Sequence, residues 1–128
     1  MEPSKELDNL TNSVIGAAIE VHKHLGPGYL ESVYEEALGI ELTERGIPYR
    51  RQHPVSVSYK EKTVGEGKLD VLVADKLIVE LKAVEALLPV HKAQVISYLK
   101  ATRFHLGLLI NFNVSVLRDG IQRIIYSN

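Results

Sequence analysis

Two acidic residues and one lysine within residues 68–82 are spaced so that they could act together. The segment reads KLDVLVADKLIVELK, in which apolar residues alternate on either side of a short polar break. This pattern predicts two β-strands joined by a tight turn. If residues 74–76 form the turn, Asp70 faces Glu80 across the hairpin, and Lys82 leaves the second strand on the same face.

Like charges at Asp70 and Glu80 require an explanation. Directly opposed residues in an antiparallel pair have Cβ atoms about 4.5–5.5 Å apart, and two carboxylates there are destabilising unless something neutralises them. A divalent cation would do so, and Lys82 adds one positive charge. The alternative is a solvated hairpin face, which commonly carries acids and lysines. Leu72 and Ile78 argue against it, because they share the acidic face and so predict that this face is covered.

The opposite face of the hairpin is predicted to be wholly apolar. Val73 pairs with Leu77 beside the turn, and the outer pairs follow in the same register. The apolar face then consists of Leu69, Val71, Val73, Leu77, Val79 and Leu81.

The composition is that of one globular domain, residues 1–128. A chain of 128 residues can bury about two-thirds of its unfolded surface. It contains no cysteine, which excludes disulfides, iron–sulfur clusters and thiolate zinc sites. No apolar run reaches the ~18 residues that a membrane span needs, and no signal peptide is visible. We therefore expect a cytoplasmic protein with no membrane partner.

The net charge of −1 provides no overall attraction to nucleic acid, so such a contact needs a local basic patch. Five basic residues lie along the predicted strands. They could form a solvated sheet edge or a rim that follows phosphates, and both interpretations stay open. These residues are Arg50, Arg51, Lys60, Lys62 and Lys68.

Apolar residues at helical spacing predict a first helix over residues 6–24. Its two histidines, His22 and His24, are two positions apart and point in different directions, which argues against joint metal binding. The helix ends at residues 26–28, Gly-Pro-Gly. A dinucleotide-binding fingerprint is rejected here, because Glu31 stands where its third glycine would be and no strand precedes it.

A second helix is predicted over residues 30–45, with Gly46 as its stop. Glu31 lies in its first turn, where a carboxylate also interacts favourably with the positive helix end. Tyr34 lies on the same side and is commonly a core residue with a bonded hydroxyl. The positions predicted to point inward are Val33, Ala37, Leu38 and Leu42.

The remaining elements are predicted from the alternation of apolar residues in strands and from the start and stop signals of helices. Val55, Val57 and Tyr59 form a strand that residues 60–62 turn into the strand carrying Asp70, so three consecutive strands are antiparallel. A third helix spans residues 89–100. Residues 106–110 are a buried strand reached by a crossover, residues 121–126 are an edge strand, and the order is α-α-β-β-β-α-β-β.

Motifs in this order resemble those of the PD-(D/E)xK nuclease superfamily. Asp70 followed by Glu80-x-Lys82 is similar to its signature, and Gln94-x-x-x-Tyr98 to its helical extension. Leu69 replaces the proline of the superfamily's label, a departure that affects strand shape and no ligand.

The string Gly28-x-x-Glu31-x-x-Tyr34 also resembles the small bacterial and archaeal family named GxxExxY. The match covers most of the chain.

The resemblance implies an α/β fold with a restriction-endonuclease-like core, in which a mixed β-sheet flanked by helices holds a magnesium site. The implied ligands of magnesium, or of manganese in its place, are Glu31, Asp70, Glu80 and the backbone carbonyl of Leu81. Lys82 would orient the attacking water or stabilise charge on phosphoryl oxygens. Gln94 and Tyr98 would bind the substrate backbone or brace the ligands, and Tyr34 would brace the site from behind.

The sequence therefore predicts a metal-dependent nuclease, with catalytic residues Asp70, Glu80 and Lys82 and DNA as the expected substrate. The alternative is a nuclease-fold module with little turnover that binds nucleic acid or serves in an assembly. Hydrolysis of another phosphorylated molecule is also open, as is homo-oligomer formation. An ATPase is excluded, because the chain has no Gly-x-x-x-x-Gly-Lys-Ser/Thr loop.

Overall fold

The computed structural model describes residues 3–127, so the outermost residues of the predicted domain, Met1, Glu2 and Asn128, lie outside the described residues. Eight helices and strands and one 3₁₀ turn follow each other along this part of the chain, in the predicted order. They are α1 (Lys5–Leu25), α2 (Glu31–Glu44), β1 (Tyr49–Tyr59), β2 (Lys62–Val73), β3 (Leu77–Lys82), α3 (Pro89–Thr102), β4 (Leu106–Asn111), the 3₁₀ turn (Leu117–Gly120) and β5 (Ile121–Ile125).

The strands form one mixed sheet in the order β1-β2-β3-β4-β5. β1, β2 and β3 are antiparallel neighbours, β3 and β4 are parallel, and β5 is antiparallel to β4. Helix α3 makes the connection between the two parallel strands, which cannot be joined by a tight turn. The predicted mixed sheet flanked by helices is confirmed.

The sheet is covered on both faces, by α1 and α2 on one side and by α3 on the other. β3 and β4 are buried along nearly their whole length, as parallel neighbours between two helical layers should be. Leu72 and Ile78 pack against α3 residues such as Val95, which confirms that the acidic face of the hairpin is covered.

Local sequence signals explain where the helices begin and end. The Ser4 side chain caps α1 by accepting a hydrogen bond from the Leu7 N–H at 3.1 Å. Gly26, with φ of 68°, ends α1 in a backbone conformation that glycine adopts easily. None of the helices in the described residues is long and apolar enough to cross a membrane.

Three local predictions are wrong. Leu69 packs in the cluster on the α3 side, not on the α1 and α2 side, because the left-handed backbone of Gln52 in β1 interrupts the regular pleat beside it. Val33 is exposed, since α2 carries apolar residues on its outer side as well as its inner side. The turn after β1 is shorter than predicted: Lys60 and Glu61 both have positive φ, as a two-residue hairpin loop requires.

Candidate active site

The β2–β3 hairpin has the predicted register, and its backbone hydrogen-bond ladder ends at the two acidic residues. The backbone pairs are Val73 with Leu77, Leu72 with Ile78 and Val71 with Val79.

At the next position the acidic side chains replace the backbone ladder. The Asp70 N–H donates to the Glu80 carboxylate at 3.1 Å, and the Leu81 N–H donates to the Asp70 carboxylate at 2.8 Å. Each strand thus bonds a carboxylate of the other, which holds the two acids side by side.

Glu80 is unusually unfavourable as an anion in the metal-free protein. Its side chain is almost fully buried, with 3% of the residue exposed. Burial and the neighbouring charge of Asp70 raise the pKa of Glu80 to about 8, against the opposing effects of the Asp70 N–H and of Lys82. The Asp70–Glu80 pair therefore retains a proton at neutral pH.

Lys82, Gln94 and Tyr98 form a row beside the acid pair. The Lys82 amine donates to the Gln94 amide oxygen, and the Gln94 amide nitrogen donates to the Tyr98 hydroxyl, each at 3.4 Å. Gln94 and Tyr98 lie one turn apart on α3, so both reach the same side of the sheet. Bonds this long are weak, which leaves all three polar groups able to turn toward a substrate.

Tyr98 packs directly on the backbone of β2 at Gly67. A Cβ atom at Gly67 would lie 2.8 Å from a Tyr98 ring carbon, closer than van der Waals contact allows. Burial and the negative charge of Glu80 raise the pKa of Tyr98. Because Gly67 has no side chain, Tyr98 and with it α3 can approach the strand that carries Asp70.

Tyr34 braces the region from the other side of the sheet. Its ring is stacked on Phe112, with centroids 4.5 Å apart, and its hydroxyl donates to the Gly26 carbonyl at 2.6 Å and accepts from the Tyr29 N–H at 3.2 Å. The Phe112 N–H in turn donates to the Lys82 carbonyl. Tyr34 thus bonds the loop before α2 and, through Phe112, supports the end of β3.

Glu31 begins α2 and is exposed. In residues 3–127 no three acidic, histidine or cysteine side chains come together as a metal-binding group. Asp70 and Glu80 are therefore a pair, and Glu31 does not join them with its present side-chain position. Its role as a third ligand stays a prediction.

A network that the sequence analysis missed fixes α2 to β1 at the level of Asp70. Glu35, nearly buried, accepts hydrogen bonds from Arg51 at 3.0 Å and from Gln52 at 2.7 Å. Gln52 lies opposite Asp70 and has φ of 49°, a strained conformation for this residue type. Glu35 is one helical turn after Glu31, and that i,i+4 spacing is the signal that could have identified it.

Asn111 was also missed, and it holds the segment that follows Lys82. It is buried beside Lys82 in the parallel ladder. Its side chain accepts from the Val84 N–H at 3.1 Å and donates to the Val84 carbonyl at 2.9 Å. A polar residue at the end of the apolar run 106–110 was the available sequence signal.

The fold and the site together define a nuclease-type α/β domain, and comparison with known families agrees. The sequence profile of the PD-(D/E)XK nuclease superfamily matches residues 8–124. The chain belongs to this superfamily, whose members are generally nucleases that use divalent metals. No curated protein matches the chain significantly.

Proposed function

We propose that the protein is a metal-dependent nuclease that hydrolyses phosphodiester bonds in DNA, and that it falls in the GxxExxY family of the superfamily. The observation that supports this most strongly is the pairing of Asp70 with Glu80 beside Lys82. Two adjacent carboxylates, one of them buried, destabilise the fold when no cation is bound, so their presence is explained best by a role in binding a ligand.

The donor set fits Mg²⁺ or Mn²⁺, which prefer carboxylate and carbonyl oxygens. The charge repulsion that helps to raise the pKa of Glu80 would be relieved by a divalent cation that the two acids hold. Asp70, Glu80 and the Leu81 carbonyl would hold the ion, and Glu31 is the proposed third carboxylate ligand. When bound, the metal lowers the pKa of a water and polarises the phosphoryl group.

Side chains beside the acid pair then position the substrate and stabilise the charge that develops on it. Lys82 carries a positive charge two positions after Glu80 on β3. Its amine would leave the Gln94 amide oxygen and donate to a phosphoryl oxygen as negative charge develops there. Gln94 and Tyr98 provide an amide and a hydroxyl to orient the substrate backbone. Glu80 must lose its proton before it can act as a ligand, so metal affinity should rise with pH toward about 8.

The test compares wild type, Lys82→Ala and Asp70→Ala on labelled single- and double-stranded DNA and RNA, with magnesium, with manganese and with chelator. Lys82→Ala should abolish cleavage while magnesium affinity, measured by calorimetry, stays equal or rises, because a competing positive charge is removed. Asp70→Ala should lose both cleavage and affinity. Lys76→Ala is the matched control, since this lysine lies at the other end of β3 in a surface ion pair with Glu6. Cleavage that survives both chelator and the Lys82 substitution would disprove the mechanism.

A binding or assembly module with little turnover is the second candidate. It is favoured by the separation of Glu31 from the acid pair and by the net charge of −1. In that case wild type shows no metal-dependent cleavage, and Lys82→Ala lowers the salt dependence of nucleic-acid binding by roughly one phosphate contact or less.

A further inference from the structure

A polar groove of about 490 Å³ lies between β1 and α3, on the same side of the sheet as Gln94 and Tyr98. Residues 56–58 form one wall. The opposite wall consists of the last two turns of α3 and the residue that ends it, and it includes Ser97, Lys100 and Arg103.

The groove adjoins the acid pair across Tyr98. The Tyr98 ring packs on Gly67, Gly67 pairs with Val55, and the groove begins at the next residue, Ser56. On the helix, Lys100 is six residues after Gln94, or about 9 Å along the axis. A strand bound at the acid pair can therefore continue into the groove without leaving this face of the protein.

The charge of the groove is positive and unbalanced. Lys100 and Arg103 are its charged lining residues, and no acidic residue lines it. Within residues 3–127 neither forms an ion pair. The Lys100 amine lies 6.0 Å from the centre of the Tyr126 ring, at the outer limit of a cation–π contact.

The two arginines of β1, which the sequence analysis grouped with other basic residues, differ from Lys100 and Arg103 in having acidic partners. Arg51 bonds Glu35 and Glu36, and Arg50 lies 3.6 Å from Asp75. Their charges are balanced within the protein, so they attract a phosphate less than Lys100 and Arg103 do.

We propose that this groove binds the sugar–phosphate backbone of the DNA strand that is to be cut, on one side of the scissile bond. The inference rests on the proposed function and adds a substrate-binding surface to it. Lys100 and Arg103 lie about 9 and 14 Å along α3 from Gln94, which corresponds to roughly three and four phosphates of one strand.

A second cleft provides a matched control. It has a volume of about 450 Å³, lies between the end of α1 and the segment 115–118, and also contains one lysine and one arginine, Lys23 and Arg118. The double variant Lys23→Ala/Arg118→Ala removes the same charge as Lys100→Ala/Arg103→Ala but from the side of the sheet covered by α1.

Binding is measured by fluorescence anisotropy of a labelled single-stranded DNA of about 12 nucleotides, in chelator to prevent cleavage and over a series of salt concentrations. The groove variant should weaken binding and reduce the slope of log K against log salt by roughly 1.4, since each phosphate contact to a single strand contributes about 0.7. The control variant should leave the slope near that of wild type. Circular dichroism checks folding, and the charge-reversed pair Lys100→Glu/Arg103→Glu should show a larger loss.

The outcomes separate this inference from the proposed function. If wild type binds DNA through the groove but never cleaves it, the proposed function fails and the groove stands. If wild type cleaves DNA and both groove variants keep its KM and salt slope, the groove is overturned and the nuclease stands. A loss of DNA binding that is equalled by the Lys23→Ala/Arg118→Ala control also overturns the inference.

Discussion

The two ends of the β2–β3 hairpin are built on the same register and do opposite things. Next to the turn, Leu72 faces Ile78 in a regular ladder, and both are buried against α3. Two residues further along each strand, Asp70 lies beside Glu80, and carboxylate-to-backbone bonds replace the ladder. At one end, burial of apolar side chains stabilises the fold, whereas the other end holds two carboxyl groups side by side.

The difference shows how the site can persist. An acid pair with one buried member destabilises the folded chain unless its charge is neutralised, and apolar pairs in the adjoining positions offset that effect. Glu80 follows Ile78 by two positions and shares its face, and Tyr98 of α3 lies close enough to Glu80 and Asp70 for their charges to raise its pKa, so α3 covers both the apolar and the acidic end. The following variants test whether stability lies at one end and ligand binding at the other.

Truncating Ile78, one member of the apolar pair, should have the largest effect on stability. Ile78 is fully buried, so Ile78→Ala should lower the free energy of unfolding by about 2–5 kcal/mol through lost burial and a residual cavity. Urea unfolding measures it. Ile125→Ala on β5, where the side chain is half exposed, is the control and should cost much less. Equal losses in the two variants would contradict the division between the hairpin ends.

The acid pair should make stability depend on pH in the metal-free protein. Below about pH 4.5 Glu80 is protonated in both the folded and unfolded chains, and between about pH 4.5 and 8 only the unfolded chain releases the proton, because the folded pKa is about 8. The free energy of unfolding therefore falls through this window, by an amount on the order of a few kcal/mol.

Glu80→Gln should remove that dependence. Its stability relative to wild type, from urea unfolding at about pH 5 and about pH 8, should improve as pH rises. Glu44→Gln, an exposed position on α2, should change neither value. A wild type whose stability rises across the window as much as that of Glu80→Gln would contradict the pKa direction.

The hairpin could be predicted because periodicity and register depend on neighbouring residues. Alternation placed the turn and the pairing of Leu72 with Ile78 correctly. The crossover to β4 was also predictable, because a buried apolar run after a helix needs a parallel neighbour.

Contacts between distant segments could not be predicted in the same way. The bonds from Glu35 to Arg51 and Gln52 depend on how α2 lies across β1, and no local pattern encodes that. Leu69 was misplaced for the same reason, since the positive φ of Gln52 on the neighbouring strand alters the pleat. The Asp70–Glu80 pairing was local and therefore found, whereas the position of Glu31 depends on a helix packed from elsewhere in the chain.

Asp70→Ala should destabilise the site end by less than Ile78→Ala destabilises the other. It leaves the buried Leu81 N–H without its acceptor, which costs about 1–3 kcal/mol, partly offset by the relief of repulsion with Glu80. Thermal unfolding in chelator measures it. Asp75→Asn, in the exposed turn of the same hairpin, is the control, because asparagine tolerates the φ of 54° at this position.

Asp70→Asn should have the smallest effect, because it separates the hydrogen bond from the charge. The amide oxygen of asparagine can still accept from the Leu81 N–H, while the negative charge that repels Glu80 is gone. In metal-free protein we therefore expect a change between zero and a stabilisation of about 1 kcal/mol. Saturating magnesium should raise the unfolding temperature of wild type, since a ligand of the folded state stabilises it, but should raise that of Asp70→Asn far less. A loss of several kcal/mol in metal-free Asp70→Asn would instead make Asp70 a structural anchor, and the two ends of the hairpin would then both serve stability.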